Sequence, residues 1–388
     1  MSAHALLSAS SAKRWLACTP SARFEEQFEE TTSSYASEGT AAHYFAEHLI
    51  RATLDWAPSA AHKAEAFRAA NPFYDGAMEE HITKYVDFVI ERFNEARATT
   101  KDAVIYLEQR LDYSSWAPEG FGTGDVIIIA DDTLEVIDLK YGKGVPVEAE
   151  GNPQLKLYGL GAWSAFEFLY NIRSVRMTIA QPRLDSLTTS EMLVEDLLDW
   201  AETEVRPRAK RAYDGQGEYE PGDHCQFCRG AAVCKARADY NLALAKYDFI
   251  HPNILMPDEI ADILGRIDEL MNWAAKVKDH ALEQAEKHGV KWPGWKLVEG
   301  RSNRKYSDAD AAASALIDAG IAEAIIYERT LLGITALEKA IGKKRFEELL
   351  QDHIIKPAGK PVLVPETDKR PEIGSLQSAL DDFAGLTE

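Results

Sequence analysis

The sequence has no long apolar run and carries less positive than negative charge. No stretch approaches the ~18 consecutive apolar residues that a membrane-spanning helix needs, so we expect no membrane segment. The first 15 residues lack the basic segment and apolar core of a secretory signal, which predicts a cytoplasmic protein. The phosphate loop G-x-x-x-x-G-K-S/T is also absent, which argues against a nucleotide cofactor or an ATP-driven motor.

The charge balance limits how the chain can meet nucleic acid. It has 43 Lys and Arg against 63 Asp and Glu, a net charge of −20, which argues against coating nucleic acid by bulk attraction. A nuclease is not excluded, because a metal-binding active site is itself acidic and a local groove can still be basic. Two basic clusters occur near the C-terminus, and each taken alone fits solvated surface charge: Arg301, Arg304, Lys305 and Lys343, Lys344, Arg345.

The pattern of apolar residues predicts a mixed α/β domain. A composition of 46% hydrophobic and 27% charged residues is that of a globular protein. Apolar periodicity predicts helices at 77–98 and 190–213, and strands at 104–113, 124–130, 134–140 and 174–180. A further helix should begin at Asn152-Pro153, since Asn is a favoured N-cap and Pro a favoured first helical residue.

The length of 388 residues exceeds one average domain of ~100–200 residues, so we expect two domains. We place the first at residues 1–240, with a helical insertion at about 51–100. The second, at 241–388, should be an α-rich accessory domain, with one long amphipathic helix at 257–288 and a Pro-rich loop or linker at 355–374.

Residues 122–144, GTGDVIIIADDTLEVIDLKYGKG, read as a hairpin with an acidic turn. If Asp131 and Asp132 form the turn, Asp125 lies opposite Asp138, and Lys140 projects from the same face. Opposed carboxylates repel, but a divalent cation such as Mg²⁺ or Mn²⁺ would hold them together. A lysine beside them could orient or deprotonate a metal-bound water, or stabilise charge that develops on a phosphate. These are the groups needed for metal-assisted phosphodiester hydrolysis. The spacing alone fits an ordinary surface hairpin with a salt bridge equally well.

The chain has only four cysteines: Cys18, Cys225, Cys228 and Cys234. Three of them are spaced C-x₂-C-x₅-C, and the fourth lies about 200 residues upstream. In a cytoplasmic protein this favours a metal site over disulfides. Zinc sites usually combine two local pairs, which is a different design. An iron–sulfur cluster, zinc and free buried thiols remain open.

The motif of Asp125 followed by Asp138-Leu139-Lys140 resembles the PD-(D/E)XK nuclease superfamily. The nearest resemblance is to the nuclease domains of RecB- and AddB-type helicase–nucleases and to the CRISPR-adaptation iron–sulfur nucleases. Residues 7–24, LSASSAKRWLACTPSARF, resemble the N-terminal signature of this branch, Gly39–His43 its G-x-x-x-H motif, and Gln154–Tyr158 its Q-x-x-x-Y motif. The resemblance spans roughly residues 6–238, and one departure is the Asp at 138 where the branch has Glu.

This resemblance implies a restriction-endonuclease-like fold, a mixed central sheet flanked by helices. It implies a Mg²⁺ or Mn²⁺ site made by His43, Asp125, Asp138 and the backbone carbonyl of Leu139. Lys140 would serve the attacking water, and Gln154 and Tyr158 would contact DNA or support the site. The four cysteines would hold a structural [4Fe–4S] cluster that clamps the N-terminal helix onto the end of the domain. Glu108, on the preceding strand, we expect to be peripheral.

The function implied by the resemblance is a metal-dependent DNA exonuclease of phage or prophage recombination, acting on the ends of linear DNA. Its partner would be a single-strand annealing or single-strand-binding protein. Alternatives are a CRISPR-adaptation-type nuclease or endonuclease, and a non-catalytic module that binds DNA ends. Candidate phosphate contacts are Arg14, Arg183 and the Arg301/Arg304/Lys305 cluster.

Overall fold

The structure is a computed structural model, and it describes residues 5–29, 34–56, 58–244, 255–298, 307–327, 331–350 and 353–354. Its contacts divide the chain into two compact units, Met1–Val290 and Lys291–Glu388. The Arg301/Arg304/Lys305 cluster and the Pro-rich segment at 355–374 lie outside the described residues.

A five-stranded mixed sheet forms the centre of the first unit, with the strands side by side in chain order. The strands are β1 (Val104–Asp112), β2 (Phe121–Ile129), β3 (Asp132–Leu139), β4 (Ile172–Gln181) and β5 (Ser186–Leu193). All neighbours are antiparallel except β3 and β4, which are parallel. A parallel pair needs a crossover, and helix α6 (Pro153–Phe166) supplies it. The predicted fold class, a mixed sheet flanked by helices, is confirmed.

Helices cover both faces of the sheet. Besides α6, the helices of this unit are α1 (Ala12–Ala17), α2 (Ser21–Glu25), α3 (Ser34–Thr53), α4 (Pro58–Ala70), α5 (Gly76–Thr99), α7 (Val194–Trp200), α8 (Arg206–Tyr213), α9 (Lys235–Leu242), α10 (Pro257–Leu264) and α11 (Ile267–His288). Ile127 and Ile129 of β2 point into a core shared with α6 and α7, whereas Val126 and Ile128 point into a core shared with α3 and α5. This double burial explains why β2 is apolar at consecutive positions instead of alternating.

Two predictions about the hairpin and its following helix are confirmed. Val126 pairs with Ile137 and Ile127 with Val136, which is the register expected from a turn at Asp131-Asp132. The side chain of Asn152 accepts hydrogen bonds from the backbone N–H groups of Gln154 and Leu155 at 3.0 and 3.3 Å. Asn152 is therefore the N-cap of α6, as its position before a proline predicted.

Two helix predictions need correction. The helix expected at 190–213 begins only at Val194, because residues up to Leu193 form β5 and pair with the open edge of β4. A π-helical turn, Ala201–Val205, then joins α7 to α8. The single helix expected at 257–288 is broken at Gly265 and Arg266 into α10 and α11.

The boundary expected at residue 240 lies inside the first compact unit, which extends to Val290. The physical reason is that α11 packs against α9, where Glu269 forms an ion pair with Arg237. In the second unit, the described residues form α12 (Ala309–Asp318), α13 (Glu323–Ile326), α14 (Ile334–Ile341) and α15 (Lys343–Leu350). None of the helices described in either unit combines the length and apolarity needed to cross a membrane.

Candidate functional site

Three neighbouring strands bring three carboxylates into one row. Leu107 pairs with Val126 and Gln109 with Gly124, so Glu108 of β1 lies opposite Asp125 of β2. The β2–β3 register continues the row from Asp125 to Asp138. Asp138 is buried, with 2% of its surface exposed. Carboxylates that lie opposite each other on neighbouring strands repel one another, so this row needs nearby positive charge to be stable.

Helix α3 supplies the first partner of this row. His43 Nδ1 lies 3.2 Å from Asp125 Oδ1, and ligand atoms of His43, Glu108 and Asp125 all lie within 4.8 Å of one another. Burial lowers the pKa of His43, but the nearby carboxylates, Asp125 foremost, outweigh it and raise that pKa to about 9. Burial and the Asp125 charge raise the pKa of Glu108 to about 7. His43 and Glu108 therefore bind protons more tightly than usual, as expected of an imidazole and a carboxyl placed beside another carboxylate.

Asp138 has two partners, Lys140 at the end of β3 and Gln154 of helix α6. Lys140 Nζ lies 2.8 Å from Asp138 Oδ2, and Gln154 Nε2 donates to Asp138 Oδ1 at 3.0 Å. Lys140 Nζ also donates to Gln154 Oε1 at 3.1 Å, and Gln154 Nε2 lies 3.3 Å from the Tyr158 hydroxyl. Gln154 and Tyr158 share one face of α6, as their i, i+4 spacing requires. The helix thus fixes the lysine and the acid relative to each other.

The backbone of Leu139 links the two halves of the site. Its N–H donates to Asp125 Oδ2 at 2.7 Å, which orients the Asp125 carboxylate between His43 and β3. Leu139 also lines the pocket that contains His43, Glu108 and Asp125. The role of its carbonyl as a metal ligand stays a prediction.

Two buried oxygen atoms at the site lack hydrogen bonds among the described residues. One is the hydroxyl of Tyr85, a residue of α5 that is 3% exposed and lines the same pocket as His43 and Glu108. The other is Asp138 Oδ2, whose contact is the ion pair with Lys140. Buried polar atoms normally have partners, and the Tyr85 hydroxyl has none among the described residues, which fits a site that binds a further polar group. One imidazole and several carboxylate oxygens are a donor set suited to Mn²⁺ or Mg²⁺.

The four cysteines line a second pocket. Cys18 follows α1, Cys225 and Cys228 lie in and after the short turn Asp223–Phe227, and Cys234 caps α9. Polar contacts join the segment around Cys18 to the segment that leads to and carries the other three cysteines. Thr19 Oγ1 donates to the Gln216 carbonyl at 2.6 Å, and the Arg229 N–H donates to Glu25 Oε1 at 2.7 Å.

The cysteine sulfurs do not form a compact ligand group. Among the described residues, no three cysteine sulfurs lie within 4.8 Å of one another. A single tetrahedral zinc ion at ~2.3 Å from each sulfur would bring them about 3.8 Å apart. Thiolates bound to different irons of one cluster lie further apart. Burial raises the pKa of Cys18 and Cys225 and raises that of Cys228 to about 12, so metal binding would have to displace these protons.

The family model described as "Protein of unknown function (DUF2800)" matches residues 4–371. The chain belongs to this family. A solved structure titled "Crystal structure of SSO0001" is 13% identical, and the match covers 58% of the DUF2800 chain and 96% of that chain at a TM-score of 0.20. A likeness this low carries no argument about the fold or the function of the DUF2800 chain.

The site of this DUF2800 protein differs from the sequence-based expectation at Glu108. We expected Glu108 to be peripheral, and that expectation is wrong, because it joins His43 and Asp125 while Asp138 is held by Lys140 and Gln154. Glu108 has a φ of +49°, in the left-handed region that costs a glutamate about 1–3 kcal/mol. The sequence signal that could have found it is its position opposite Asp125, given the β1–β2 register.

The two described arginines that we predicted to contact DNA phosphates, Arg14 and Arg183, already form ion pairs within the protein. Arg14 forms an ion pair with Glu25 at 2.7 Å. Arg183 forms one with Glu38 at 2.9 Å and stacks on the ring of Tyr141. Each guanidinium already has a carboxylate partner, so their binding of DNA phosphates stays a prediction.

Replacing Glu108 with Gln should weaken Mn²⁺ binding by about tenfold or more, since a charged ligand is lost while side-chain size is kept. Isothermal titration calorimetry with Mn²⁺ measures this directly. E191Q, on the exposed edge strand β5, removes the same charge away from the site and serves as the control. An E108Q variant with the Mn²⁺ affinity of E191Q would return Glu108 to the periphery.

Proposed function

We propose that this protein is a metal-dependent deoxyribonuclease that hydrolyses phosphodiester bonds from the ends of linear DNA. The observation that carries the proposal is the joint geometry of Asp125, Asp138 and Lys140, with His43 and Gln154 completing it from two helices. This is the combination that the nuclease resemblance requires, in one place and partly buried. An ordinary surface hairpin with a salt bridge would not need a histidine from α3 or a glutamine from α6.

His43, Asp125 and Glu108 would hold the divalent cation, and Asp138, paired with Lys140, is the next carboxylate of the row. A bound cation would supply an activated water and neutralise charge on the phosphate. Asp125 is held for this task by the Leu139 N–H. The Glu108 carboxyl packs against His43 and Asp125, while the exposed part of its side chain leaves that side of the group open to a substrate.

Lys140 acts as a cation rather than a base. Burial lowers the pKa of Lys140, but Asp138 and Asp125 outweigh it and raise that pKa above the ordinary value. Nζ therefore keeps its proton at neutral pH and can donate to a phosphate oxygen or orient the attacking water. Gln154 holds Nζ in place at 3.1 Å. At comparable sites, removing one preorganised donor lowers the reaction rate by about 10²–10³-fold.

The cysteine pocket supports a second part of the proposal, a structural [4Fe–4S] cluster. Four thiols from two distant segments line one pocket, and this arrangement differs from the two local pairs of usual zinc sites and suits a cluster. The cluster would clamp α1 to the segment before α9 and needs no electron-transfer role. We place the protein in the cytoplasm, where its four free thiols would remain reduced. A single-strand annealing or single-strand-binding protein is the proposed partner.

The test compares linear duplex DNA with a covalently closed circle of the same sequence, with Mg²⁺ or Mn²⁺ and with EDTA. We expect the linear form to be degraded, the circle to survive, and EDTA to stop the reaction. Mn²⁺ should work at least as well as Mg²⁺, because the histidine suits the softer ion. Equal rates on both forms would indicate an endonuclease. Binding of ends without cleavage would indicate the non-catalytic module.

A further inference from the structure

A fully buried arginine lies at the cysteine pocket. Arg237 is 0% exposed and lines this pocket together with Cys18, Cys225, Cys228 and Cys234. It stands on the first turn of α9, three residues after Cys234. A guanidinium is always protonated, so this places a permanent positive charge among thiols.

The hydrogen bonds of Arg237 are incomplete. Nε donates to Glu269 Oε1 at 2.6 Å, and Nη2 lies 2.6 Å from the same oxygen without hydrogen-bond geometry. Nη1 and Nη2 have no hydrogen-bond partner among the described residues. Glu269 compensates the charge, but a buried N–H group without an acceptor is costly, so a guanidinium buried in this way calls for a further acceptor.

Metal-bound cysteines would supply that acceptor. Four thiolates carry −4, and a [4Fe–4S] core of +2 leaves a net charge of −2 at the pocket. Zinc with four thiolates gives the same −2. Hydrogen bonds to the sulfur atoms are among the factors that set the reduction potential of such clusters.

Helix α11 approaches the pocket at a second point. Lys276 Nζ donates to the backbone carbonyl of Gln226, a residue between Cys225 and Cys228. Glu269 and Lys276 are seven residues apart, about two turns, and so lie on the same side of α11. Both contacts join this helix to the segment that carries the cysteines.

We propose that Arg237 donates hydrogen bonds from Nη1 and Nη2 to sulfur atoms of the metal-bound cysteine group. Glu269 holds the guanidinium in that orientation, and the same pair fixes α11 against the metal site. Arg237 is thus a positioning and charge-compensating residue for the cofactor, away from the nuclease site. This inference rests on the proposed cofactor.

The test measures the reduction potential of the cluster and the lifetime of its absorbance near 400 nm in air. R237M removes a positive charge beside the cluster, so it should lower the potential and shorten the lifetime about tenfold, the loss expected of one hydrogen bond to a charged group. E269Q removes a negative charge but keeps the guanidinium, so it should raise the potential. R229M changes an exposed arginine next to Cys228 and should shift the potential much less, because solvent screens its charge.

Potential shifts of opposite sign in R237M and E269Q support the proposal, and an unchanged potential in R237M overturns it. If R237M does not fold, R237K decides: it keeps the charge with fewer donors, so its lifetime should fall between wild type and apoprotein, and a wild-type lifetime overturns the proposal. If wild-type protein holds zinc and no iron, the cofactor proposal is wrong. The Arg237 proposal then requires faster zinc release to a chelator in R237K than in R229M, and equal rates overturn it.

Discussion

Replacing Lys140 with Met should reduce DNA cleavage at least about 10²-fold, because the half-buried ammonium proposed to face the phosphate is lost while most of the side-chain volume is kept. Asp125→Ala and Asp138→Ala should abolish cleavage, since each removes a carboxylate of the metal site. The measurement is the rate of nucleotide release from linear duplex DNA with saturating Mn²⁺. K101M, in the exposed turn between α5 and β1, is the matched lysine control and should cleave at the wild-type rate.

Loss of Lys140 also leaves Asp138 buried without its cation, and breaking such a pair costs about 3–5 kcal/mol of stability. The double variant D138N/K140M removes both charges and should recover most of that stability while staying inactive. Urea denaturation monitored by circular dichroism measures the free energy of unfolding, and so separates the loss of stability from the loss of cleavage. Asp138→Glu should keep part of the activity, because a longer carboxylate can still reach the cation. A K140M enzyme that cleaves like wild type would refute the proposed role of the hairpin.

Replacing any one of the four cysteines with Ala should remove most of the iron and lower the thermal stability of the first unit. The reason is that cofactor binding contributes directly to the free energy of folding. Cys18→Ala is the most informative variant, because Cys18 joins the N-terminal segment to residues some 200 positions later. Iron, sulfide and zinc analysis after anaerobic purification measures the cofactor content, and calorimetry measures the thermal stability.

His224→Ala provides the control for the cysteine series. His224 lines the same pocket and is a possible metal ligand by residue type, but its Nε2 hydrogen-bonds the Glu220 carbonyl at 2.8 Å. The H224A variant should therefore keep its iron. Stoichiometric zinc without iron in wild-type protein would overturn the cluster, and full iron content in C18A would remove Cys18 from the ligands.

Local patterns predicted much of the hairpin and its surroundings. The register of β2 on β3 follows from the two-residue acidic turn, because the length of the loop fixes which residues of a hairpin face each other. The start of α6 at Pro153 follows from the Asn152 cap. By contrast, β5 was missed, since its sequence Ser186–Leu193 is half polar and gains its strand conformation from pairing with β4.

The sequence by itself identified the residues that we propose to carry chemistry: the acids and the lysine of the hairpin, the Gln154 and Tyr158 helix face, and the set of four cysteines. These signals are short-range spacings, and short-range spacing is fixed by strand and helix geometry. Only the tertiary structure decided that Glu108 joins His43 and Asp125, because this depends on the pairing of β1 with β2 across residues 113–120 and on a left-handed backbone at Glu108. It likewise decided that Arg237 is buried at the cysteine pocket, because Glu269 of a distant helix closes over it. Contacts between residues far apart in the chain depend on how whole elements pack, and local sequence patterns do not encode that packing.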